Sequence, residues 1–201
     1  YTLFAMLTSL GCEVSDLGIL EDDPEIIQSA LETASENHDL IFTSGGVSLG
    51  EEDHVKTALK NLGELHFWRI AIKPGRPIAL GQVKDTPFIG LPGNPVATLV
   101  TFMTIARPMI MGFSGKRQKD VMRYSLPANF DYSHKGGRYE WQRAYLKEQD
   151  GQLCVELFHT TGSGVMTSMV KTDGLVEIPD HAHEIKKGDF VRFIPYSEVS
   201  Q

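Results

Sequence analysis

The sequence predicts an α/β part built on a doubly wound, mostly parallel sheet, followed by a small all-β, barrel-like part. Up to about residue 111, apolar residues at helical spacing alternate with short apolar runs typical of buried strands. A polar, basic segment follows at residues 114–120, and beyond it the helical spacing disappears. We therefore predict one domain over residues 1–117 and a second over residues 118–201.

The first elements follow from apolar spacing and from capping residues. Residues 3–10 carry apolar side chains at helical spacing, and residues 12–17 are typical of a short strand. Asp23 is a good N-cap and Pro24 suits the first helical position, so the second helix begins there. Because a doubly wound domain normally opens with a strand, we expect the first strand of the sheet to be absent from this chain.

The remaining elements are predicted from buried runs separated by turns. In the α/β part they are strand 39–43, helix 53–62, strand 65–72, strands 78–82 and 87–91, and a helix from residue 95 to about 111. In the β part they are strands 137–145, 153–158, 174–178 and 189–196. Lys84 and Asp85 are expected to form a hairpin turn, and so are Asp150 and Gly151.

The composition excludes several functional classes. The 201 residues are 41% apolar, which is enough for a sizeable core. A net charge of -7 argues against non-specific nucleic-acid binding. Cys12 and Cys154 lie far apart and fit two reduced thiols of a cytoplasmic protein. The most apolar stretch, residues 96–113, is judged too short and too polar to span a membrane.

Three glycine-containing loops follow predicted strands, so they fall at the carboxyl edge of the predicted sheet. They are TSGGVSLGEED at residues 43–53, KPGRP at residues 73–77 and GLPGNP at residues 90–95. Open α/β sheets bind ligands at this edge, and paired glycines let backbone N–H groups approach an anion. Taken alone, each loop is equally well explained as a turn.

Charged residues flank these loops. Period-2 spacing places Arg69 and Lys73 on one strand face, and Arg76 completes a candidate oxyanion clamp. Asp22 follows a predicted strand, while Asp53 opens a helix, where it would serve either as a cap or as a ligand. A divalent cation would reconcile the carboxylates with a bound phosphate, and oxygen ligands suit Mg²⁺. The sequence thus predicts a site for a polyanionic, metal-bound ligand.

In this order and spacing, the three loops resemble the molybdopterin molybdenumtransferase family, which includes bacterial MoeA and the E domain of gephyrin. The resemblance continues through GRYEWQR at residues 137–143 and TGSG at residues 161–164, so it covers essentially the whole chain. Members of the family also carry two N-terminal domains and a first strand with an acidic residue near it, and we expect none of these within the present sequence.

The resemblance implies an enzyme that inserts molybdate into adenylylated molybdopterin and releases AMP, assisted by Mg²⁺. It also implies a molybdopterin-binding α/β domain followed by a β-barrel domain. The implied full-length protein is a cytoplasmic homodimer whose active site lies at the dimer interface, and its implied partner is the adenylyltransferase that supplies the substrate. Neither nucleic acid nor membrane is an expected partner. The isolated chain is expected to bind pterin phosphate weakly and to insert no molybdenum.

The resemblance also implies roles for individual positions. Asp22 and Asp53 match functional carboxylates and are the candidate Mg²⁺ ligands. Lys73 and Arg69 match basic active-site positions, with Arg69 in place of a lysine seen in some members. The candidate ligand-binding positions are Gly45, Gly46, Val47, Ser48, Gly50, Arg76, Pro92, Gly93, Asn94, Pro95, Arg143 and Ser163.

Two other functions stay open at the level of sequence. One is the adenylyltransferase that makes the adenylylated intermediate on the same kind of α/β domain. The other is a non-catalytic scaffold, a role that gephyrin also has. The β-rich part after residue 118 and the loop at residues 73–77 favour the insertase, and nothing in the sequence marks a peptide groove.

Overall fold

The computed structural model describes residues 1–47, 54–116, 120–160 and 162–200, and it divides the chain into two compact units. Unit 1 comprises Tyr1–Ile70 and Gly75–Thr101, and unit 2 comprises Ala71–Pro74 and Phe102–Gln201. The predicted domain boundary between residues 117 and 118 stays a prediction. The boundary between the two compact units lies between Thr101 and Phe102, within the helix that begins at Pro95.

The elements up to residue 101 match most of the predicted ones. In chain order they are α1 (Thr2–Ser9), α2 (Pro24–Asn37), β1 (Ile41–Ser44), α3 (His54–Leu62), β2 (Gly63–Arg69), β3 (Ile72–Lys73), β4 (Pro77–Val83), β5 (Thr86–Leu91) and α4 (Pro95–Thr101). Asp23 caps α2 as expected, since its Oδ1 accepts hydrogen bonds from the backbone N–H groups of Glu25 and Ile26 at 2.8 and 3.1 Å.

The sheet of unit 1 has the strand order β1-β5-β4-β2. The pair β1–β5 is parallel, while β5–β4 and β4–β2 are antiparallel, so the α/β class is confirmed with mixed rather than mostly parallel pairing. The reason is the length of the connections. Only two residues, Lys84 and Asp85, join β4 to β5, and such a short turn reverses the chain direction.

Two predicted strands of this part were wrong. Residues 12–17 form no strand, because a strand needs a hydrogen-bonded neighbour and none of the described strands pairs with them. Residues 65–72 are not one strand but two. β2 ends at Arg69 and belongs to the sheet of unit 1, whereas β3 pairs with a strand of unit 2.

The core of unit 1 lies between the sheet and helices α2 and α3. Ile27, Leu31 and Ala34 line one face of α2, as the helical spacing predicted. They pack with Leu59 of α3 and Phe88 of β5 in one buried cluster. This packing fixes the strand ends from which the glycine loops emerge.

Unit 2 is β-rich, as predicted. After a π-helical stretch (Phe102–Ala106) its elements are α5 (Arg107–Phe113), β6 (Tyr124–Pro127), β7 (Tyr132–Ser133), β8 (Tyr139–Gln149), β9 (Gln152–Leu157), α6 (Thr167–Lys171), β10 (Gly174–Ile178), β11 (Glu184–Ile185) and β12 (Phe190–Pro195). Its main sheet has the order β3-β8-β10-β12-β6, with β9 paired to β8. Ala128, which directly follows β6, forms a β-bridge with Val155 of β9. The two ends of the sheet are thereby joined, and the sheet curls around its core.

The helix Pro95–Phe113 is long and apolar enough, by length and composition alone, to cross a membrane, with a mean hydropathy of 1.5. The sequence-based argument that it was too short and too polar was therefore wrong. More than half of the stretch, 56%, is buried inside the protein, as it would be in a helix of a protein core.

Candidate functional site

Two glycine-containing loops of unit 1 lie side by side at the carboxyl ends of the parallel strands β1 and β5. Ser44 is paired with Leu91 at the end of both strands. The backbone N–H of Gly45 donates to the carbonyl oxygen of Leu91 at 3.0 Å. A Cβ atom at Gly93 would lie 3.5 Å from the Cα of Gly45, so the two loops touch backbone to backbone. The edge that the sequence singled out is thus a contiguous surface of main chain.

Neighbouring side chains leave no space for a side chain at two of these glycines. At Gly46, where φ is +65°, a Cβ atom would lie 2.6 Å from Cγ2 of Val55 in α3. At Gly90, a Cβ atom would lie 2.5 Å from Cγ1 of Val47. Val47 itself is buried in the core of unit 1. Among the described residues of the loop after β1, Gly46 can therefore carry no side chain, as suits a position where backbone N–H groups approach an anion.

The turn at residues 92–95 is braced from beneath by the first turn of α4. The hydroxyl of Thr98 donates to the carbonyl oxygens of Pro92 and Asn94, at 2.5 and 2.9 Å. Pro92 is buried, whereas Gly93, Asn94 and Pro95 are exposed. The turn thus presents three exposed residues on a fixed backbone at the start of a helix.

Asp22 lies close to the beginning of α3. Its carboxylate is 89% exposed, and its Oδ1 lies 4.0 Å from Nε2 of His54, the first residue of that helix. Asp53 directly precedes His54 in the sequence but, with Ser48 and Gly50, lies outside the described residues. Within the described ranges no group of three His, Cys, Asp or Glu side chains could hold a metal ion. Asp22 therefore presents an exposed carboxylate, an oxygen donor of the kind that Mg²⁺ prefers, and its role as a metal ligand stays a prediction.

A buried hydroxyl at the end of β1 was missed by the sequence analysis. Oγ1 of Thr43 is buried and has no hydrogen-bond partner among the residues that the structure describes. The signal was available, because a threonine stands at the end of an otherwise apolar strand just before the paired glycines. Buried polar atoms of proteins are rarely left unpaired, so this one marks the edge as unusual.

Arg69 and Lys73, which were predicted to share one strand face, do not lie on one strand. Arg69 is the exposed last residue of β2, and Arg76 is exposed just before β4, both in unit 1. Lys73 lies on β3, which pairs in parallel with β8 of unit 2. The prediction of a shared face was wrong because β2 ends at Arg69 and Lys73 lies on β3. The alternation of side chains along one strand therefore does not reach Lys73.

In unit 2, Lys73 belongs to a buried polar cluster that the sequence analysis did not foresee. Its Nζ lies 3.1 Å from Oε2 of Glu140. The same carboxylate oxygen accepts hydrogen bonds from the hydroxyl of Tyr132 at 2.6 Å and from Nε2 of Gln142 at 2.8 Å. Burial raises the pKa of Glu140, but these three hydrogen bonds outweigh it and lower the pKa below its ordinary value. Burial and the contact with Glu140 raise the pKa of Tyr132.

His134 closes the other side of this cluster. Its Nδ1 lies 2.7 Å from the carbonyl oxygen of Ala182, a contact that requires a proton on Nδ1. The backbone N–H of Gly136 also lies 3.1 Å from Nδ1. This second contact is no hydrogen bond, because a protonated Nδ1 and the N–H are both donors. Its Nε2 is buried 3.5 Å from Oε1 of Glu140. Both oxygens of Glu140 thus face polar groups.

Arg143 is a buried cation on β8 with only 2% of its surface exposed. Its Nε donates to Oγ of Ser168 at 3.1 Å, and its Nη2 donates to the carbonyl oxygens of Thr160 and Gly162 at 2.9 and 3.1 Å. No ion pair of the described residues includes Arg143, and burial lowers the pKa of its guanidinium. The loop that leads to the half-buried Ser163 is therefore held in place by an arginine beneath it.

Comparison with known families finds one family match over the first part of the chain and another over the second. Residues 1–112 match the family described as "Probable molybdopterin binding domain", and residues 125–196 match the "MoeA C-terminal region (domain IV)". The chain is similar to the molybdopterin molybdenumtransferase of Haemophilus influenzae, with 37% identity over 99% of this chain and 50% of that protein. It is also similar to the molybdopterin molybdenumtransferase of Nostoc, with 30% identity over 89% of this chain and 42% of that protein.

A solved structure gives the same result. The molybdopterin biosynthesis MoeA protein of Pyrococcus horikosii superimposes with a TM-score of 0.77 at 27% identity, covering 96% of this chain and 46% of that one. The chain thus spans half or less of the length of these proteins.

Proposed function

Because the chain belongs to the family of the "Probable molybdopterin binding domain" and continues into a MoeA C-terminal region, we propose that it is part of a molybdopterin molybdenumtransferase. The full-length enzyme inserts molybdate into adenylylated molybdopterin and releases AMP. The observation that carries this proposal is the succession of the two matched regions in one chain. The second region favours the insertase over an adenylyltransferase built on the first domain alone.

In this proposal, the edge formed by residues 45–47 and 92–95 binds the pterin phosphate. Its support is the main chain of Gly46, where Val55 leaves no room for a side chain, and of the exposed Gly93. Backbone N–H groups and the beginning of a helix favour an anion without a charged side chain. The exposed Gly93, Asn94 and Pro95 form a rigid wall beside it.

The basic residues hold the oxyanions. We assign Lys73 and Arg69 to molybdate or to the terminal phosphate, and Arg76 to the same anionic ligand. Arg143 is too deeply buried for an extended contact, so it acts chiefly by holding the loop before Ser163. Fixed cations and fixed hydrogen-bond donors stabilise the negative charge that collects on the leaving phosphate.

Asp22 and Asp53 are the proposed Mg²⁺ ligands. When bound there, Mg²⁺ would offset charge on phosphate oxygens as the bond to AMP breaks. We expect Asp53→Asn in the full-length enzyme to leave the melting temperature nearly unchanged, since asparagine is an equally good N-cap. AMP release at low Mg²⁺ should fall at least about tenfold, the loss that even outer-shell changes cause in metal affinity. High Mg²⁺ should restore part of it.

Asp23→Asn is the matched control, because Asp23 is an observed cap of α2 and is not a proposed ligand. It should change neither the melting temperature nor the Mg²⁺ dependence. Wild-type turnover of Asp53→Asn at low Mg²⁺ would make Asp53 a cap only, and Asp22→Asn would then decide whether any metal ligand lies in this chain.

The proposed reaction is tested directly by AMP release. The full-length protein is given adenylylated molybdopterin with and without molybdate, and free AMP is measured. The insertase should release AMP only when molybdate is present. Release independent of molybdate, or formation of the adenylylated pterin from ATP, would contradict the proposal and favour the adenylyltransferase.

We also propose that the full-length protein is a cytoplasmic homodimer that receives its substrate from the adenylyltransferase. The free thiols of Cys12 and Cys154 support a reducing compartment. The homodimer and its partner rest on the resemblance to the family.

A further inference from the structure

Glu140 lies at the centre of a cluster that comprises Lys73, Tyr132, His134, Glu140 and Gln142. All five residues belong to unit 2. Glu140 and His134 are buried, while the side chain of Lys73 keeps 31% of its surface exposed. The cluster thus combines buried polar side chains with one partly exposed cation, Lys73.

The backbone alone holds Lys73 weakly. Strand β3 has only two residues, and its pairing with β8 is limited to Ile72 with Tyr139 and Lys73 with Glu140. A lysine side chain has four rotatable bonds and adopts many rotamers unless something holds its ammonium. The contact of 3.1 Å with Oε2 of Glu140 supplies that hold.

The carboxylate of Glu140 is itself held by its neighbours. Tyr132 and Gln142 donate to the oxygen that Lys73 contacts, and Gln142 also donates to the hydroxyl of Tyr132 at 2.9 Å. Charge-assisted hydrogen bonds of this kind are short and strong. Oε2 of this buried carboxylate thus accepts from three donors, which makes it a rigid anchor for the ammonium of Lys73.

We propose that Glu140 is a positioning residue that fixes the ammonium of Lys73 for binding an oxyanion. This inference rests on the proposed function, in which Lys73 holds molybdate or a phosphate. An ammonium has three N–H donors, and the contact with Glu140 uses one of them. A cation fixed before binding loses less entropy when the anion arrives.

The test is Glu140→Gln in the full-length enzyme, with Glu177→Gln as the matched control. Glu177 is an equally buried carboxylate of the same sheet, and its partner is Arg123 at 2.9 Å instead of Lys73. Glu140→Gln should raise the KM for molybdate about tenfold or more, the loss expected for a charged hydrogen bond. Glu177→Gln should leave that KM unchanged, and Tyr132→Phe should raise it by a smaller factor.

A double-mutant cycle separates positioning from general stability. If Glu140 acts through Lys73, Glu140→Gln should have no further effect on the rate in a Lys73→Ala background. An equal loss in both backgrounds would overturn the inference, and so would an equal rise of KM in Glu140→Gln and Glu177→Gln. If Glu140→Gln fails to fold, Tyr132→Phe takes its place in the double-mutant cycle. The inference would be overturned if Tyr132→Phe lowered the rate as much in the Lys73→Ala background as in the wild type.

A second readout is independent of turnover. The carboxyl carbon of Glu140 is titrated by ¹³C NMR in the wild type and in Lys73→Ala. The pKa of Glu140 should rise when its partner is removed, since Lys73 is among the groups that lower it. An unchanged titration would overturn the inference. If the wild type released no AMP in response to molybdate but the pKa of Glu140 still rose in Lys73→Ala, only the proposed function would be contradicted.

Discussion

Arg143→Met is expected to lower molybdate-dependent AMP release at least about tenfold and to destabilise the protein by about 2 kcal/mol. Methionine fills much of the same volume, but it donates no hydrogen bond. The carbonyl oxygens of Thr160 and Gly162 and the hydroxyl of Ser168 would lose their donor. Removal of a buried charge without a counter-ion offsets part of this loss, which is why the expected destabilisation is moderate.

Arg143→Lys distinguishes the charge from the shape of the guanidinium. Lysine keeps the positive charge but cannot bond to two carbonyl oxygens and a hydroxyl at once. If Arg143 acts by holding the loop before Ser163, Arg143→Lys should lose nearly as much activity as Arg143→Met. Near wild-type activity of Arg143→Lys would contradict this role. Arg192→Met, an exposed arginine of the same sheet, is the control in thermal melts and in AMP-release assays, and it should change neither.

Features with a local cause could be predicted from the sequence. The cap at Asp23 depends on its own side chain and the next three residues. The hairpin at Lys84 and Asp85 depends on two flanking runs of strand residues, and Lys84 has the positive φ of 50° that such a turn requires. The two glycine loops of unit 1 were placed correctly at neighbouring strand ends, since β1 and β5 each show a clear apolar run.

Features that depend on distant pairing could not be predicted. Lys73 and Glu140 are 67 residues apart, and no local pattern indicates that β3 leaves the first sheet to join β8. On β8, Glu140 and Gln142 alternate with Tyr139 and Trp141, a pattern that favours a solvent-facing Glu and Gln. The structure reverses this, because Glu140, Gln142 and Ala144 are all buried, and their polar groups satisfy one another. Burial of a polar network cannot be read from alternation alone.

Lys73→Ala is expected to have the other large effect, on activity and on stability together. It removes a proposed oxyanion ligand, and it leaves the buried carboxylate of Glu140 without its cation. We expect the free energy of unfolding at pH 7 to fall by about 1–3 kcal/mol, less than for a fully buried pair because Lys73 remains partly in water. AMP release should fall at least about a hundredfold, as for other groups that stabilise developing charge.

The pH dependence of the loss of unfolding free energy in Lys73→Ala identifies the cause of that loss. The pKa of Glu140 is lowered in the folded protein from its ordinary value of 4.5, so its carboxylate contributes stability above that pH and loses this contribution as the pH falls through the folded-state pKa. Lys73→Ala removes one source of the lowering. The difference in unfolding free energy between the wild type and Lys73→Ala should therefore be full near neutrality and shrink in acid below pH 4.5.

Denaturant unfolding at a series of pH values measures this difference, with Lys135→Ala as the control, since Lys135 is an exposed lysine of the same unit. Lys135→Ala should show no pH-dependent loss. A constant difference between the wild type and Lys73→Ala at all pH values would mean that Lys73 stabilises the protein through its aliphatic chain rather than through Glu140. In that case a loss of AMP release in Lys73→Ala would reflect the missing ligand alone, because the buried carboxylate would not have depended on the ammonium.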